Sequence, residues 1–386
     1  MKNYLLKTIL CICTAIILII CQVPFLCIET IPEEKIDIPV KSAVLMDYNT
    51  GAVIYKKNET EAFSPASVTK IMTLLLIMEE IEKGNIDYND DITVSEYAAS
   101  MGGSQVFLEA GETMKAEDLI KSIIIASGND AAVAMAEAVS GSEAEFVSRM
   151  NEKATELGMS SSKYYNVTGL DDDAEHNLTS ALDIALMSRA LMRHEKIFQY
   201  STIWMDSIRD GAFGLTNTNR LIRFYNGATG LKTGSTSKAG FCISATAKRG
   251  DLHLIAVIMG AENRDVRNEC AKKLLDYGFA NYSVYKNEGG KVDDIKVKCG
   301  DNSKIEGIYD GCEILCEKGN DKNIVLKIEC PTEINAPVKK NQVIGKVVFS
   351  LNGNEIHTSP IISDGNVGKI SYFGVLFKMF KCVLLK

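Results

Sequence analysis

The chain has 386 residues, 46% of them hydrophobic and 24% charged, with a formal net charge of −8. That balance is too apolar for a disordered chain and supplies enough length for about two or three folded units. The acidic excess argues against a dedicated nucleic-acid binder, because phosphate contacts need a basic face; seven prolines and 29 glycines exclude collagen-like and low-complexity architectures.

Residues 1–28 carry Lys2 and Lys7 and no acid, and the stretch from Thr8 to Ile20 is almost wholly apolar. This reads as a secretory signal peptide or an uncleaved N-terminal membrane segment. The runs from Ala43 to Asp47 and from Ala52 to Tyr55 are β-prone and flank a Tyr48-Asn49-Thr50-Gly51 turn, a hairpin signal. Ile71 to Lys83 predicts a helix closed by Gly84, and helical patterns follow from Ala116 to Ile125, Asp130 to Val139, Phe146 to Leu157 and Thr179 to His194. The pattern then changes: Gly230 to Ser235, Phe241 to Ala247 and Leu252 to Met259 read as strands, and Val266 to Tyr277 returns to helix. One antiparallel sheet assembled from both ends of the segment 38–280 and flanked by helices is the expected α+β architecture.

A linker is expected from Asn281 to Gly290, most flexible at Asn287-Glu288-Gly289-Gly290. Over 291–364, short apolar runs punctuated by Gly, Asn, Asp and Lys predict a small all-β domain. The segment 369–386 places Tyr372, Phe373, Leu376, Phe377, Phe380, Val383 and Leu384 at helical spacing, with four lysines and no acid after Asp364. The stretch from Ser371 to Lys386, at roughly 16 residues, is too short to span a bilayer comfortably and suits an amphipathic anchor lying on a membrane surface.

The sharpest local feature is Phe63-Ser64-Pro65-Ala66-Ser67-Val68-Thr69-Lys70. Ser64 is expected to cap the helix and Pro65 to occupy its first position. Ser67 then falls in the first turn, where the helix dipole favours developing negative charge, and Lys70 lies three residues on along the same face. A serine hydroxyl needs an adjacent base, and a lysine serves when burial and cationic neighbours lower its pKa. Ser-x-x-Lys also starts at Ser160, Ser235 and Ser283, but Ser67 alone opens a capped, apolar helix. Ser127-Gly128-Asn129 sits between two helical segments and offers a hydroxyl and an amide; Ser350-Leu351-Asn352 repeats the spacing, so spacing alone does not single it out. Lys232-Thr233-Gly234, followed by Ser235, lies on a predicted strand, where alternation puts Lys232 and Gly234 on one face and Thr233 and Ser235 on the other.

Together, in this order, the three motifs resemble the active-site set of penicillin-recognising serine enzymes. The surrounding text SPASVTKIMT, GGSQVFLEAGETM, IIASGNDAAVAMAE, LGMSSSKYYNVTGLDD, TGLKTGSTSKAGFC and KKLLDYGF is similar to the D-alanyl-D-alanine carboxypeptidases, the low-molecular-mass penicillin-binding proteins, from about residue 38 to 280. The resemblance implies a β-lactamase/transpeptidase-like catalytic domain, then a small β-rich domain and a C-terminal amphipathic helix. It implies a peptidoglycan stem pentapeptide ending in D-Ala-D-Ala as substrate, inhibition by β-lactams, no cofactor or metal, and a site on the outer face of the cytoplasmic membrane. On these residues it implies Ser67 as nucleophile, Lys70 as its base, Ser127 and Lys232 as proton relay, and Asn129 as holder of the acyl-side amide. Thr233, with Lys232 and Ser235, takes the terminal carboxylate beside Gly234, and the N–H groups of Ser67 and Ser235 form an oxyanion hole whose donors are each worth roughly 3 kcal/mol of barrier.

Ser235 departs from the histidine or aromatic residue frequent in relatives, which bears on rate and pH profile. Arg264 and Arg267 are further candidates for orienting the carboxylate. The four histidines show no metal-ligand spacing. A β-lactamase of class A uses an extra glutamate followed four residues later by asparagine, and no such pair lies between Asn129 and Lys232. A non-catalytic wall-binding protein of the same fold is the other alternative. Of eleven cysteines, five belong to the two ends, two to the catalytic segment and four to the β segment, so disulfide pairing is expected there if anywhere.

Overall fold

The computed structural model describes residues 36–171 and 175–384. The expected export segment over 1–28 lies outside them.

Five strands form the main sheet: β1 (Ser42–Asp47), β2 (Val53–Lys57), β3 (Ala228–Thr236), β4 (Gly240–Arg249) and β5 (Leu252–Ala261), in the spatial order β2-β1-β5-β4-β3. Neighbouring strands in this sheet pair antiparallel, with Leu45 and Ala245 both opposite Ala256 and Lys232 opposite Ser244. Every residue from Leu252 to Met259 is buried, so β5 is covered on both faces and reads as a continuous apolar run. Strand β3 lies at the sheet's edge, which leaves one side of its backbone unpaired by the sheet.

The longer helices of this part are α1 (Lys70–Glu82), α2 (Asn129–Ser140), α3 (Glu143–Glu156), α4 (Ala181–Met192) and α5 (Arg264–Asn281). Residues Lys70 to Met78 of α1 are all buried, the signature of a helix packed on every side. Helices α4 and α5 pack against β5, while α2 packs against α1 and α3. The helix expected from Ala116 to Ile125 is α-helical only over Ala116–Lys121; Ser122–Ala126 is a π-turn, after which Ser127 adopts a left-handed conformation (φ 66°, ψ 29°). The wider turn re-aims the chain so that Ser127 meets Lys232 of β3 and Asn129 meets Lys70.

The second part is a six-stranded sheet: β6 (Tyr282–Lys298), β7 (Lys304–Glu317), β8 (Ile324–Glu329), β9 (Glu333–Asn335), β10 (Val343–Leu351) and β11 (Asn354–Ser363), ordered β8-β10-β11-β7-β6-β9. The linker expected from Asn281 to Gly290 is instead the last residue of α5 followed, from Tyr282 on, by strand. Asn287 pairs with Cys312 and Gly289 with Asp310, so ladder hydrogen bonds hold a stretch whose glycines favour flexibility when read alone. Val347, Phe349 and Ile361 form the centre of this part's own core. Among the described residues, Cys242, Cys270, Cys299, Cys312, Cys316 and Cys330 form no disulfide. The terminal helix α6 (Tyr372–Leu384) leaves Tyr372, Phe373, Phe377 and Phe380 exposed.

Candidate active site

Ser67 lies in a single 3-10 turn, Ala66–Thr69, that runs directly into α1. The expected Ser64 cap does not form. Ser64 Oγ donates instead to Asp171 Oδ2 at 3.2 Å, and the turn begins at Pro65 without a side-chain cap. A contact between residues so far apart in sequence carries no local signal. Gly234 of β3 faces this turn: a Cβ there would lie 2.7 Å from the Ser67 backbone nitrogen and 2.9 Å from that of Val68. Only glycine lets the sheet edge come this close to the helix start.

The Lys70 ammonium is fully buried and donates to Ser67 Oγ at 3.0 Å, Asn129 Oδ1 at 2.6 Å and the Thr168 carbonyl at 2.9 Å. Burial holds its pKa well below the ordinary lysine value; the positive charge of Lys232 pushes the same way, and Asp130 opposes them. A second amine, Lys232 on β3, donates to Ser127 Oγ at 3.0 Å and to the Thr233 carbonyl at 2.8 Å. Burial, followed by the nearby Arg267 charge, lowers it to about 7.

The motif residues are therefore brought together: Ser67 and Ser127 each sit 3.0 Å from a buried amine. Asn129 donates through its backbone to the Ser104 carbonyl at 2.7 Å and through Nδ2 to the Gly102 carbonyl at 2.6 Å. Its Oδ1 serves Lys70, so one hydrogen of the amide and one lone pair of its oxygen are left for another partner. Thr233 Oγ1 donates to Thr218 Oγ1 at 2.8 Å. The alternation expected for β3 holds for Lys232 and Gly234, yet the cavity wraps around the strand end, and Thr233, Gly234 and Ser235 all line it.

The loop 164–171 closes the site from behind. Asn166 Oδ1 accepts from the Gly169 N–H at 2.7 Å, and Asn177 Oδ1 accepts from the Tyr165 N–H at 2.7 Å. Gly169 has φ +84°, and a Cβ on it would overlap the Ala66 carbonyl oxygen at 1.9 Å. Asp171 also accepts from Thr236 Oγ1, tying the loop to the end of β3. This loop supplies the Thr168 carbonyl to Lys70, a function that no side-chain motif announces.

The cavity measures about 640 Å³ and is also lined by Trp204, Thr218, Arg220, Phe224, Arg264 and Arg267. Arg267 is buried with Nε and Nη2 on Asn268 Oδ1 at 3.1 and 3.0 Å; burial, reinforced by Arg264 and Arg220, lowers its pKa to about 10. Three guanidinium groups beside a buried amine make this end of the cavity attractive to a carboxylate. Sequence reasoning identified Arg264 and Arg267 and missed Trp204, Thr218, Arg220 and Phe224. The polar run Thr216-Asn217-Thr218-Asn219-Arg220 was the available signal. Among the described residues, no group of three or more His, Cys, Asp or Glu side chains could hold a metal ion.

Known protein families match both parts of the chain. The family described as D-alanyl-D-alanine carboxypeptidase matches residues 29–263, and the penicillin-binding protein 5 C-terminal domain matches residues 279–369. The chain is 44% identical to the D-alanyl-D-alanine carboxypeptidase DacF of Bacillus subtilis, covering 87% of this chain and 88% of that one. It is similar in structure to penicillin-binding protein 5 from Haemophilus influenzae, with a TM-score of 0.78 at 30% identity over 86% of this chain and 98% of that one. Penicillin-binding protein D2 from Listeria monocytogenes, solved in an ampicillin-bound form, matches with a TM-score of 0.55 at 28% identity over 62% of this chain and 97% of that one. The chain belongs to the D-alanyl-D-alanine carboxypeptidase family, serine hydrolases of the penicillin-binding type.

Proposed function

We propose that the chain removes the terminal D-alanine from peptidoglycan stem pentapeptides through an acyl-enzyme on Ser67, and that β-lactams acylate the same oxygen. The observation that carries this reading is the buried Lys70 amine, 3.0 Å from Ser67 Oγ and held well below the ordinary lysine pKa. In its neutral form it takes the hydroxyl proton as Ser67 attacks the carbonyl of the D-Ala-D-Ala bond. The N–H groups of Ser67 and Ser235 receive the oxyanion, and the carbon–nitrogen bond breaks as Ser127, backed by Lys232, passes a proton to the departing amine. Asn129 orients the acyl-side amide. Thr233, with Lys232, Ser235 and the Arg264 and Arg267 charges, holds the terminal carboxylate. Gly234 permits the close approach that positions Ser67. Water then releases the shortened peptide.

The enzyme works on the outer face of the cytoplasmic membrane after export directed by residues 1–28. Helix α6 rests on the membrane surface. Its exposed aromatic residues support this, and no described helix is long and apolar enough to cross a membrane. Removal of residues 369–386 releases the protein from membranes; continued retention overturns the role given to the tail.

The decisive assay is D-alanine release from a pentapeptide ending in D-Ala-D-Ala. Stoichiometric D-alanine is the expected product. Rapid penicillin hydrolysis without D-alanine release overturns the reading in favour of a β-lactamase.

A further inference from the structure

Resting on the reading above, we propose that this site also releases C-terminal D-amino acids with aromatic or large apolar side chains, seated against Trp204 and Phe224. Trp204 is the chain's one tryptophan. Its carbonyl accepts from the Asn217 N–H at 2.9 Å, next to Thr218, which meets Thr233. That fixes Trp204 on the Thr233 side of the cavity. The Trp204 and Phe224 rings meet edge to face, with centroids 6.2 Å apart, and the Arg223 guanidinium lies 5.7 and 5.6 Å from them. The pair is thus a braced aromatic wall.

Phe224 lines the cavity while 64% exposed, so the wall presents apolar area that nothing in the free protein covers. Arg220, Arg264 and Arg267 line the same cavity as the wall and attract the carboxylate of the departing residue; on this reading its side chain lies against the two rings. A methyl group covers little of two aromatic rings in a cavity of about 640 Å³. A benzyl or isobutyl group covers much more, and apolar area removed from water favours binding. The chemistry is unchanged. The acyl carbon–nitrogen bond breaks, the amine takes one proton, and only the leaving residue differs.

Two matched peptides, one ending in D-Ala-D-Ala and one in D-Ala-D-Phe, test this on the purified protein by quantifying each released D-amino acid. The kcat/KM for the D-Phe peptide is expected within about tenfold of that for the D-Ala peptide, and Phe224→Ala should reduce the first at least about tenfold more than the second. In Ser67→Ala, where no bond breaks, the D-Phe peptide should shift the emission of Trp204 and the D-Ala peptide should shift it much less; this readout leaves the wall intact. Cleavage of the D-Phe peptide more than about 100-fold slower than the D-Ala peptide overturns the proposal, as does equal loss on both peptides in Phe224→Ala. Failure to cleave the D-Ala peptide at all removes the carboxypeptidase mechanism itself and is thereby distinguishable.

Discussion

In the catalytic part, Lys70, Lys232, Arg267, Asp130 and Asp171 are buried; in the β part, among the described residues, the buried polar side chains are Ser359 and Ser363 alone. The β part keeps its charges in water, as in the pairs Lys291–Glu306 at 2.6 Å and Lys304–Asp294 at 2.8 Å, over a core of Val347, Phe349 and Ile361. Burying an ammonium costs several kcal/mol after relaxation and persists only where hydrogen bonds or neutralisation offset it. The first part therefore carries a destabilising arrangement that is useful for proton transfer, whereas the second is built for packing. Substitutions of similar size should consequently change rate in one part and melting in the other.

The largest effect is expected for Lys70→Ala. Removing the amine beside Ser67 should slow acylation by labelled penicillin by about 10³-fold or more, and a loss under tenfold would break the contrast. A matched glycine pair sharpens it. Gly234→Ala puts a Cβ 2.7 Å from the Ser67 nitrogen and should lower the acylation rate about 100-fold by displacing the turn. Gly307→Ala in β7 puts a Cβ 2.8 Å from Ile361 Cγ2 and should cost about 1–3 kcal/mol of stability while the folded protein acylates normally. Denaturant melts and acylation rates on both variants distinguish the two outcomes.

Smaller effects come from pH. Lys232 is lowered to about 7, so above that pH the free enzyme loses the charge that attracts the substrate carboxylate. The kcat/KM profile should therefore fall on an alkaline limb near 7, while bound carboxylate moves the corresponding limb of kcat upward. The acid limb is set by protonation of Lys70, whose pKa lies below the ordinary lysine value. These are macroscopic limbs of two coupled amines. A flat profile across neutrality would contradict the assignment. Smallest of all, Lys304→Ala removes an exposed pair and should leave both melting and acylation unchanged.

Much of this was legible in the sequence, for physical reasons. Apolar periodicity located the hairpin, α1 and the closing strands, because burial dictates those patterns. Lys70 could be placed beside Ser67 because a spacing of three within a helical turn is a local fact. What could not be read depends on contacts between distant segments. Ser64 turns to Asp171 instead of capping, Thr168 offers a backbone carbonyl to Lys70, and Trp204 and Phe224 reach the cavity from the segments before and after the small hairpin of Met205–Ile208 and Phe213–Thr216, which has no motif of its own. Asn287 to Gly290 reads as a linker because its composition is flexible; pairing with β7 holds it extended.

The most direct test of the account is the position of the covalent adduct after the purified protein meets a penicillin. Peptide mass spectrometry should find one adduct per chain, on Ser67, and none in Ser67→Ala. An adduct on any other residue, or an unmodified Ser67 in a folded protein, would contradict the central claim that the buried Lys70 amine makes this serine the nucleophile.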